Sequence, residues 1–395
     1  MNYSLQRLLI VLGLIAIPFY EIILRALPMV RSVAPDSRVS KQILSLVFAL
    51  SIGLLAVFQG TIKPFKNKFL LLIPLYLLFN LIFSPHVDML INNIESGDFY
   101  FWKPFAIVLC FALMIIAVSS MEIDFDYVLK IMVVCAAVMS FYMILQKLGL
   151  DQFWSQKTGV YFDQVRGKAI GGNLGQPTIA ASFILMMYPL AIYLNKHWSM
   201  ILILIGILIT GSAMAIIALV SMMLLFLFRI NKLFIIPVLL LLMIVGIVII
   251  KSPALQDRIT ARMDGRWKVW NDIYSDIHNG QIQDGSKFCI TGVGFGRFPF
   301  IFPMKHNSQF LQAHNDIYEF IYDCGLLGGF LLLAGLFIML KINFSACNPR
   351  EFMIFLSFLG LFVASLGSFP FQLGAHEFYS AVLVGFLNND LIRRT

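Results

Sequence analysis

Long apolar stretches separated by short polar segments run through almost the whole chain. We predict that they form about 12 membrane-spanning helices, because one span needs roughly 20 predominantly apolar residues. The predicted spans cover residues 8–24, 43–60, 69–84, 104–120, 127–148, 178–194, 200–228, 233–250, 314–340, 352–369 and 375–392. The stretch 200–228 is too long for one span, so we predict a tight pair divided at Gly211 and Ser212. The predicted fold class is all-α, a polytopic membrane protein with residues 1–395 in a single integral membrane domain.

The composition favours the same class of protein. Hydrophobic residues make up 59% of the chain and charged residues only 13%, and the mean hydropathy is +0.86. Soluble domains carry about 25% charged residues, so a soluble globule is excluded. Five cysteines are too few and too scattered for a disulfide framework. Cys110, Cys135 and Cys324 fall in or at apolar segments, and we expect free thiols there.

The positions of the basic residues predict the orientation of the chain. Segments 63–68, 229–232 and 393–394 are rich in Lys or Arg. By the positive-inside rule these segments face the cytoplasm. Both termini are therefore predicted to be cytoplasmic in a multi-pass protein of the cytoplasmic membrane. The segments predicted outside are 25–41, 85–103, 149–177 and 251–313.

The longest interruption of the apolar pattern comes just before the tenth predicted span. This long external loop, residues 251–313, holds eight Lys or Arg residues against five Asp, an excess of three positive charges. Three of its arginines, Arg258, Arg262 and Arg266, recur every four residues and would follow one face of a helix. Such arginines suit either lipid headgroups or the bidentate capture of phosphate oxygens. The excess charge indicates an anionic ligand and not nucleic acid.

A histidine follows at the start of the tenth predicted span. On a helix, His314 would share a face with Tyr318, Ile321 and Gly325. A second face would carry an acidic stripe formed by Asp316, Glu319 and Asp323. Because Asp323 would lie about 13 Å below His314, its carboxylate needs a partner, and we predict an arginine. Gly325 is expected to serve close packing between helices.

Several of these residues belong to an ordered set of short motifs. The set comprises Arg266, Trp270 and residues 292–296 (GVGFG), 313–319 (AHNDIYE) and 323–328 (DCGLLG), with residues 171–177 (GGNLGQP) after Arg166 and residues 368–376 (SFPFQLGAH). In order and spacing, the chain from about residue 166 onward resembles the superfamily of O-antigen ligases and O-antigen polymerases. Two positions depart from that pattern. A Ser-Arg-Gly turn common in the superfamily is replaced by residues 210–213 (TGSA), and Asp323 stands where Glu is common.

The resemblance implies a metal-independent glycosyltransferase of the bacterial cell envelope that works at the periplasmic face without a cofactor. It would move a glycan from undecaprenyl diphosphate to an acceptor hydroxyl, on lipid A-core or on another glycan, among membrane lipids. His314 and Arg266 would be catalytic, as the base and as a cation on the diphosphate. The residues implied to bind the diphosphate or other parts of the substrate are Arg258, Arg262, Arg166, Asn315, Tyr318 and Asp323. The arginine missing from 210–213 would be replaced by Arg25, Arg31 or Arg38.

Several functions stay open at this point, among them transfer of the glycan to a protein. An O-antigen ligase of lipopolysaccharide biosynthesis is favoured, because one dense cationic cluster suits an enzyme that holds one prenyl diphosphate. A polymerase of O-antigen or exopolysaccharide would hold two such lipids and would need two cationic stations. A flippase or transporter of lipid-linked oligosaccharides would also have about 12 spans, but its charges would line a path through the bilayer, often on broken helices. In this chain the charges gather in loops at one face.

Overall fold

The architecture comes from a computed structural model of the chain, in which the described residues form helices and no strand. The described residues are 3–26, 37–58, 69–83, 99–120, 124–150, 174, 176–231, 253–279, 292–308, 310, 312–345, 348–368 and 370–393. The predicted all-α class is confirmed. The predicted span 233–250 lies outside this set.

The helices follow the apolar stretches closely. They are α1 (Tyr3–Ala26), α2 (Ser37–Phe58), α3 (Phe69–Phe83), α4 (Phe99–Ser120), α5 (Phe125–Lys147), α6 (Pro177–Tyr193), α7 (His197–Thr210), α8 (Ala213–Ile230), α9 (Pro253–Asn279), α10 (Phe298–His306), α11 (Asp316–Ser345), α12 (Pro349–Ser365) and α13 (Gly374–Arg393), with a 3-10 turn at Pro370–Gln372. Two of them, α9 and α10, lie within the long polar segment 251–313.

Some of these helices have the length and composition of membrane spans. Within the described residues, four stretches meet both criteria: Lys41–Phe58, Phe125–Lys147, Ala213–Ile230 and Asp316–Ala334. Shorter apolar helices occupy Leu5–Tyr20, Ala106–Ser120, Pro177–Tyr193 and His197–Thr210. The apolar helices indicate a multi-pass membrane protein, whereas the number of about 12 spans stays a prediction from the sequence.

The predicted division of the stretch 200–228 is confirmed. Helix α7 ends at Gly211, whose φ of 61° lies in the left-handed region that glycine adopts readily. Ser212 then caps α8, and its Oγ accepts a hydrogen bond from the backbone N–H of Ala215 at 3.4 Å. A glycine followed by a serine therefore ends one helix and starts the next within two residues.

Two apolar cores hold the helices together. The larger core lies between α1, α2, α4, α5, α6, α7, α8, α12 and α13. The smaller core joins α9, α10 and the first turns of α11, and its buried members are Val269, Ile273, Val293, Phe298, Ile301, Phe302, Ala313 and Tyr322. This smaller core fixes the position of the residues around His314.

The start of α11 differs from the sequence prediction. The helix begins at Asp316, and His314 precedes it with a φ of 53°. The predicted helical face shared by His314, Tyr318 and Gly325 is therefore wrong, because a left-handed residue cannot continue a right-handed helix. Gly325, which is expected to serve close packing, also has a conformational role. With φ 67° and ψ −173° it interrupts the helical conformation within α11.

Candidate active site

His314 lies in a tight turn whose neighbours are bound on both sides. The backbone N–H of Ala313 donates to Oε2 of Glu319 at 2.9 Å. The carbonyl of Ala313 accepts a hydrogen bond from Nε1 of Trp270 at 2.8 Å. These contacts tie the turn to α9 and to α11. They keep His314 in a left-handed conformation that residues with a side chain adopt much less readily than glycine.

Asn315 completes the turn as the cap of α11. Its Oδ1 accepts hydrogen bonds from the backbone N–H groups of Ile317 and Tyr318, at 3.0 and 3.2 Å. Asparagine is one of the residues that favour this position, since its short side chain reaches N–H groups left without a partner inside the helix. Asn315 was predicted to bind substrate. In the structure its side-chain oxygen stabilises the start of α11.

Arg266 is held within electrostatic reach of His314 by a hydrogen bond with a distant part of the chain. Its Nη1 donates to the carbonyl oxygen of Gly367 at 3.0 Å, across 101 residues of sequence. Burial, and secondly the positive charge of Arg266, lower the pKa of His314 from 6.5 to about 4. At neutral pH the imidazole is therefore uncharged, and a fixed cation lies within electrostatic reach of it.

The acidic stripe predicted on α11 is present, and two of its members are bound by one glutamine. Nε2 of Gln372 donates to Oδ1 of Asp316 at 3.1 Å and to Oε1 of Glu319 at 2.8 Å. The backbone N–H of Phe371 adds a bond of 3.0 Å to Oδ2 of Asp316. Both carboxylates are buried. They hold the segment after α12, which includes the Gly367 carbonyl, against the start of α11.

The third acidic residue, Asp323, is bound by the glycine-rich turn. Its two carboxylate oxygens accept hydrogen bonds from the backbone N–H groups of Gly296 and Phe298, at 2.7 and 2.8 Å. The backbone N–H of Gly294 donates to the carbonyl oxygen of Asp323 at 2.8 Å. An arginine was expected to bind this carboxylate, but its hydrogen bonds come from the backbone. Arg297 interacts with Asp323 only electrostatically.

Backbone conformation explains the glycines of this turn. Gly292, Gly294 and Gly296 have φ values of 73°, 113° and 75°, which residues with a side chain rarely adopt. A Cβ atom on Gly292 would also fall against the backbone of Gly325 and Asp323. The run 292–296 is thus a turn folded closely onto α11, where its N–H groups meet a buried carboxylate.

Arg297 is a buried cation that the sequence analysis counted but did not single out. Its side chain is 2% exposed, and its Nε and Nη2 atoms have no hydrogen-bond partner among the described residues. Burial lowers the pKa of Arg297, and the carboxylate of Asp323 opposes that shift. Three more residues around the site were not predicted as site residues: Glu319, Gly367 and Gln372.

The remaining predicted residues are described to different extents. Tyr318 lies beside Trp270, with ring centroids 5.9 Å apart. Arg258 and Arg262 lie in α9, which confirms their helical spacing, but their side chains are outside the described set. Arg166 and Arg31 fall in segments that the structure does not describe, and the side chains of Arg25 and Arg38 are likewise outside it.

The arrangement offers a neutral imidazole with a guanidinium within electrostatic reach of it. An uncharged imidazole can accept a proton from a hydroxyl, and a guanidinium can neutralise phosphate oxygens. Within the described part of the chain, no group of three or more His, Cys, Asp or Glu side chains is arranged to hold a metal ion. A scan against models of protein families and a search of curated proteins both find no match for this chain.

Proposed function

We propose that this protein transfers a glycan from a prenyl diphosphate to an acceptor hydroxyl at the periplasmic face of a bacterial cytoplasmic membrane. The observation that carries the proposal is the pairing of His314 with Arg266. The imidazole is uncharged at neutral pH, and the guanidinium that acts on it electrostatically is anchored on the Gly367 carbonyl. This pair supplies the two groups that such a transfer needs, a proton acceptor and a cation for the leaving group.

The reaction forms one carbon–oxygen bond and breaks another. The acceptor hydroxyl attacks the anomeric carbon of the glycan while its proton passes to the unprotonated ring nitrogen of the His314 imidazole. The bond from that carbon to the diphosphate breaks, and its electron pair leaves on the diphosphate oxygen. Arg266 stabilises the charge that develops there. A positioned base of this kind contributes roughly 10²–10⁴-fold in rate.

Binding of the donor would itself raise the pKa of His314. A histidine with a pKa of about 4 is a weak proton acceptor. A diphosphate bound to Arg266 brings negative charge close to the imidazole, and such a charge stabilises the protonated form. The pKa of His314 therefore rises toward neutrality in the complex with donor. The base becomes effective only when the leaving group is in place.

Among the reactions open to this site, we favour ligation of a finished glycan onto lipid A-core. Arg258, Arg262 and Arg266 follow one another on a single helix, α9, which suits the binding of one prenyl diphosphate. A polymerase, the second candidate, would need a separate cationic station for its second lipid. A flippase or transporter would bind the same diphosphate but would have no use for a base.

Transfer from an undecaprenyl-diphosphate-linked glycan by the purified protein tests the proposal. We expect His314→Asn to lower kcat by at least about 100-fold, since asparagine tolerates the left-handed turn but cannot accept the proton. Arg266→Lys should stay impaired, because an ammonium keeps the charge and loses the planar fork. His197→Asn, at an exposed histidine on α7, is the matched control and should transfer normally. Near-normal transfer by His314→Asn would remove the base from the mechanism.

A deletion strain separates ligase from polymerase on a lipopolysaccharide gel. Loss of a ligase leaves long glycan on the prenyl carrier and bare lipid A-core. Loss of a polymerase leaves core that bears a single repeat, and that pattern would overturn the ligase assignment without touching the roles of His314 and Arg266.

A further inference from the structure

The outward face of α9 carries aromatic side chains where a surface helix usually carries polar ones. Trp267 is 58% exposed and Tyr274 is 61% exposed. His278, also exposed, stacks against Tyr274 with ring centroids 5.8 Å apart and planes 9° apart. Asn271 lies between Trp267 and Tyr274 along the helix. The four positions follow the i, i+4, i+7, i+11 spacing of one helix face. We call Trp267, Asn271, Tyr274 and His278 the aromatic ridge.

The opposite face of α9 holds the helix in place. Val269 and Ile273 are buried in the smaller apolar core. Asp276 is also buried, and its carboxylate binds two residues at the end of α10, Lys305 and His306, each at 2.8 Å. Because this face is held by apolar packing, by the ion pair of Asp276 with Lys305 and by its hydrogen bond with His306, the aromatic ridge projects from a fixed support. A rigid surface loses little entropy when a ligand binds to it.

The aromatic ridge begins at the candidate active site. Trp267 directly follows Arg266 in sequence and lies 6.2 Å from Trp270 between ring centroids. Trp270 in turn donates its Nε1 hydrogen to the carbonyl of Ala313, the residue before His314. From Trp267 to His278 the aromatic ridge extends about 17 Å at 1.5 Å per residue. The aromatic ridge therefore runs along α9 past Trp270, which contacts the turn that holds His314.

We propose that the aromatic ridge binds the sugar rings of the transferred glycan, with the rings nearest the diphosphate on Trp267. This inference rests on the proposed function and names the part of the substrate that the proposal left without a site. A pyranose ring has an apolar face of C–H groups, which stacks on the negative face of an aromatic ring. Its hydroxyl groups point outward from the same ring. The amide of Asn271 offers them both donors and an acceptor.

A membrane interface is the other surface on which exposed Trp and Tyr side chains gather. The composition of α9 argues against it. Its outward side carries Asn271 and Ser275 as well as the aromatic rings, so it is not the continuous apolar face that an interfacial helix presents to lipid. The polar groups of this side suit the hydroxyl groups of sugars.

Binding to two probes tests the proposal on the full chain in lipid nanodiscs. The first probe is the host's undecaprenyl-diphosphate-linked glycan, and the second is undecaprenyl diphosphate without sugar. We expect Trp267→Ala and Tyr274→Ala each to weaken binding of the first probe by about 3- to 10-fold, as the loss of one aromatic contact does, and to leave the second unchanged. In the transfer assay the KM for the linked glycan should rise while kcat is kept.

Two matched variants control for the change of side chain. Trp198, 81% exposed on α7, is changed in Trp198→Ala, which should bind both probes normally. Trp267→Phe keeps an aromatic face and should retain most of the affinity. Trp267→Ala removes a mostly exposed side chain, so little stability should be lost.

The outcomes separate this inference from the proposed function. If both probes weaken equally, the surface contacts lipid or diphosphate and the inference is wrong. If neither weakens while wild-type protein transfers glycan, the inference is wrong and the proposed function stands. If the wild-type protein binds the glycan through Trp267 and Tyr274 but transfers nothing, the proposed function is wrong and the sugar site stands.

Discussion

His314 has a left-handed backbone conformation and an uncharged side chain, and both properties come from its surroundings. The conformation of the turn is fixed by the hydrogen bonds of Ala313 with Trp270 and Glu319. The cap that Asn315 forms on α11 fixes it further. Burial and the charge of Arg266 disfavour the imidazolium. Strain of about 1–2 kcal/mol at a non-glycine left-handed residue persists only where neighbouring contacts enforce it. The turn thus fixes the backbone of His314 within electrostatic reach of one cation.

The pH dependence of transfer should reveal how the donor acts on His314. Only unprotonated His314 can serve as the base, so activity rises as pH rises through its pKa. For the free enzyme that pKa is about 4, and we expect the acidic limb of kcat/KM there. Negative charge on the bound donor raises the pKa, so the acidic limb of kcat should lie at higher pH. If the acidic limbs of kcat and of kcat/KM lie at the same pH, the diphosphate does not bind beside His314.

At the scale of secondary-structure elements, the glycine-rich turn and α11 form one unit. The turn supplies N–H groups to the carboxylate of Asp323, and its first glycine packs on the backbone where α11 is interrupted at Gly325. A helix interruption leaves backbone groups without helical partners. The backbone N–H groups of Val293 and Gly294 donate to the carbonyls of Tyr322 and Asp323, just before the interruption. The turn therefore stabilises a bend in the helix that carries the acidic stripe.

A pair of glycine substitutions tests this packing. Gly211 and Gly292 both have positive φ, 61° and 73°. A Cβ atom at Gly211 meets nothing within 4 Å, whereas one at Gly292 collides with backbone atoms. We expect Gly211→Ala to cost about 1–2 kcal/mol from backbone strain alone. Gly292→Ala should cost about 1–3 kcal/mol more, because backbone atoms must move. The measurement is the apparent Tm of the purified variants, and equal shifts would contradict the close packing.

At the scale of the whole molecule, the charges of the loops and the apolar helices together predict the orientation in the membrane. The candidate site is built from the polar segment 251–313, the start of α11 and the segment after α12. Basic residues at 63–68 and 229–232 lie in other loops. If those loops are cytoplasmic, the candidate site faces the periplasm, where lipid-linked glycans are handed to their acceptors.

Thiol labelling of intact cells checks this orientation. In a chain whose five native cysteines are replaced, Gln283→Cys should react with an impermeant reagent and Asn67→Cys should not. Permeabilised cells, in which both positions should react, are the control for access. Labelling of position 67 alone would place the candidate site in the cytoplasm and would contradict a periplasmic transferase.

The sequence by itself determined most of the helices and singled out the residues of the candidate site. Apolar stretches of span length must satisfy their backbone hydrogen bonds internally, so they form helices, and the Gly211–Ser212 turn follows from the local preferences of those two residues. His314 and Arg266 were singled out by residue type and order, and the structure brings them together. The spacing of Asp316, Glu319 and Asp323 likewise predicted an acidic stripe.

Only the tertiary structure decided which groups hold that site together. The bond from Arg266 to Gly367 spans 101 residues, and Gln372 reaches Asp316 and Glu319 over 56 and 53 residues. No local pattern encodes these contacts, because they depend on how α9, α11 and the segment after α12 pack against one another. The left-handed turn at His314 has the same origin. The strain of this turn is local, but the hydrogen bonds that enforce its conformation come from other elements of the fold.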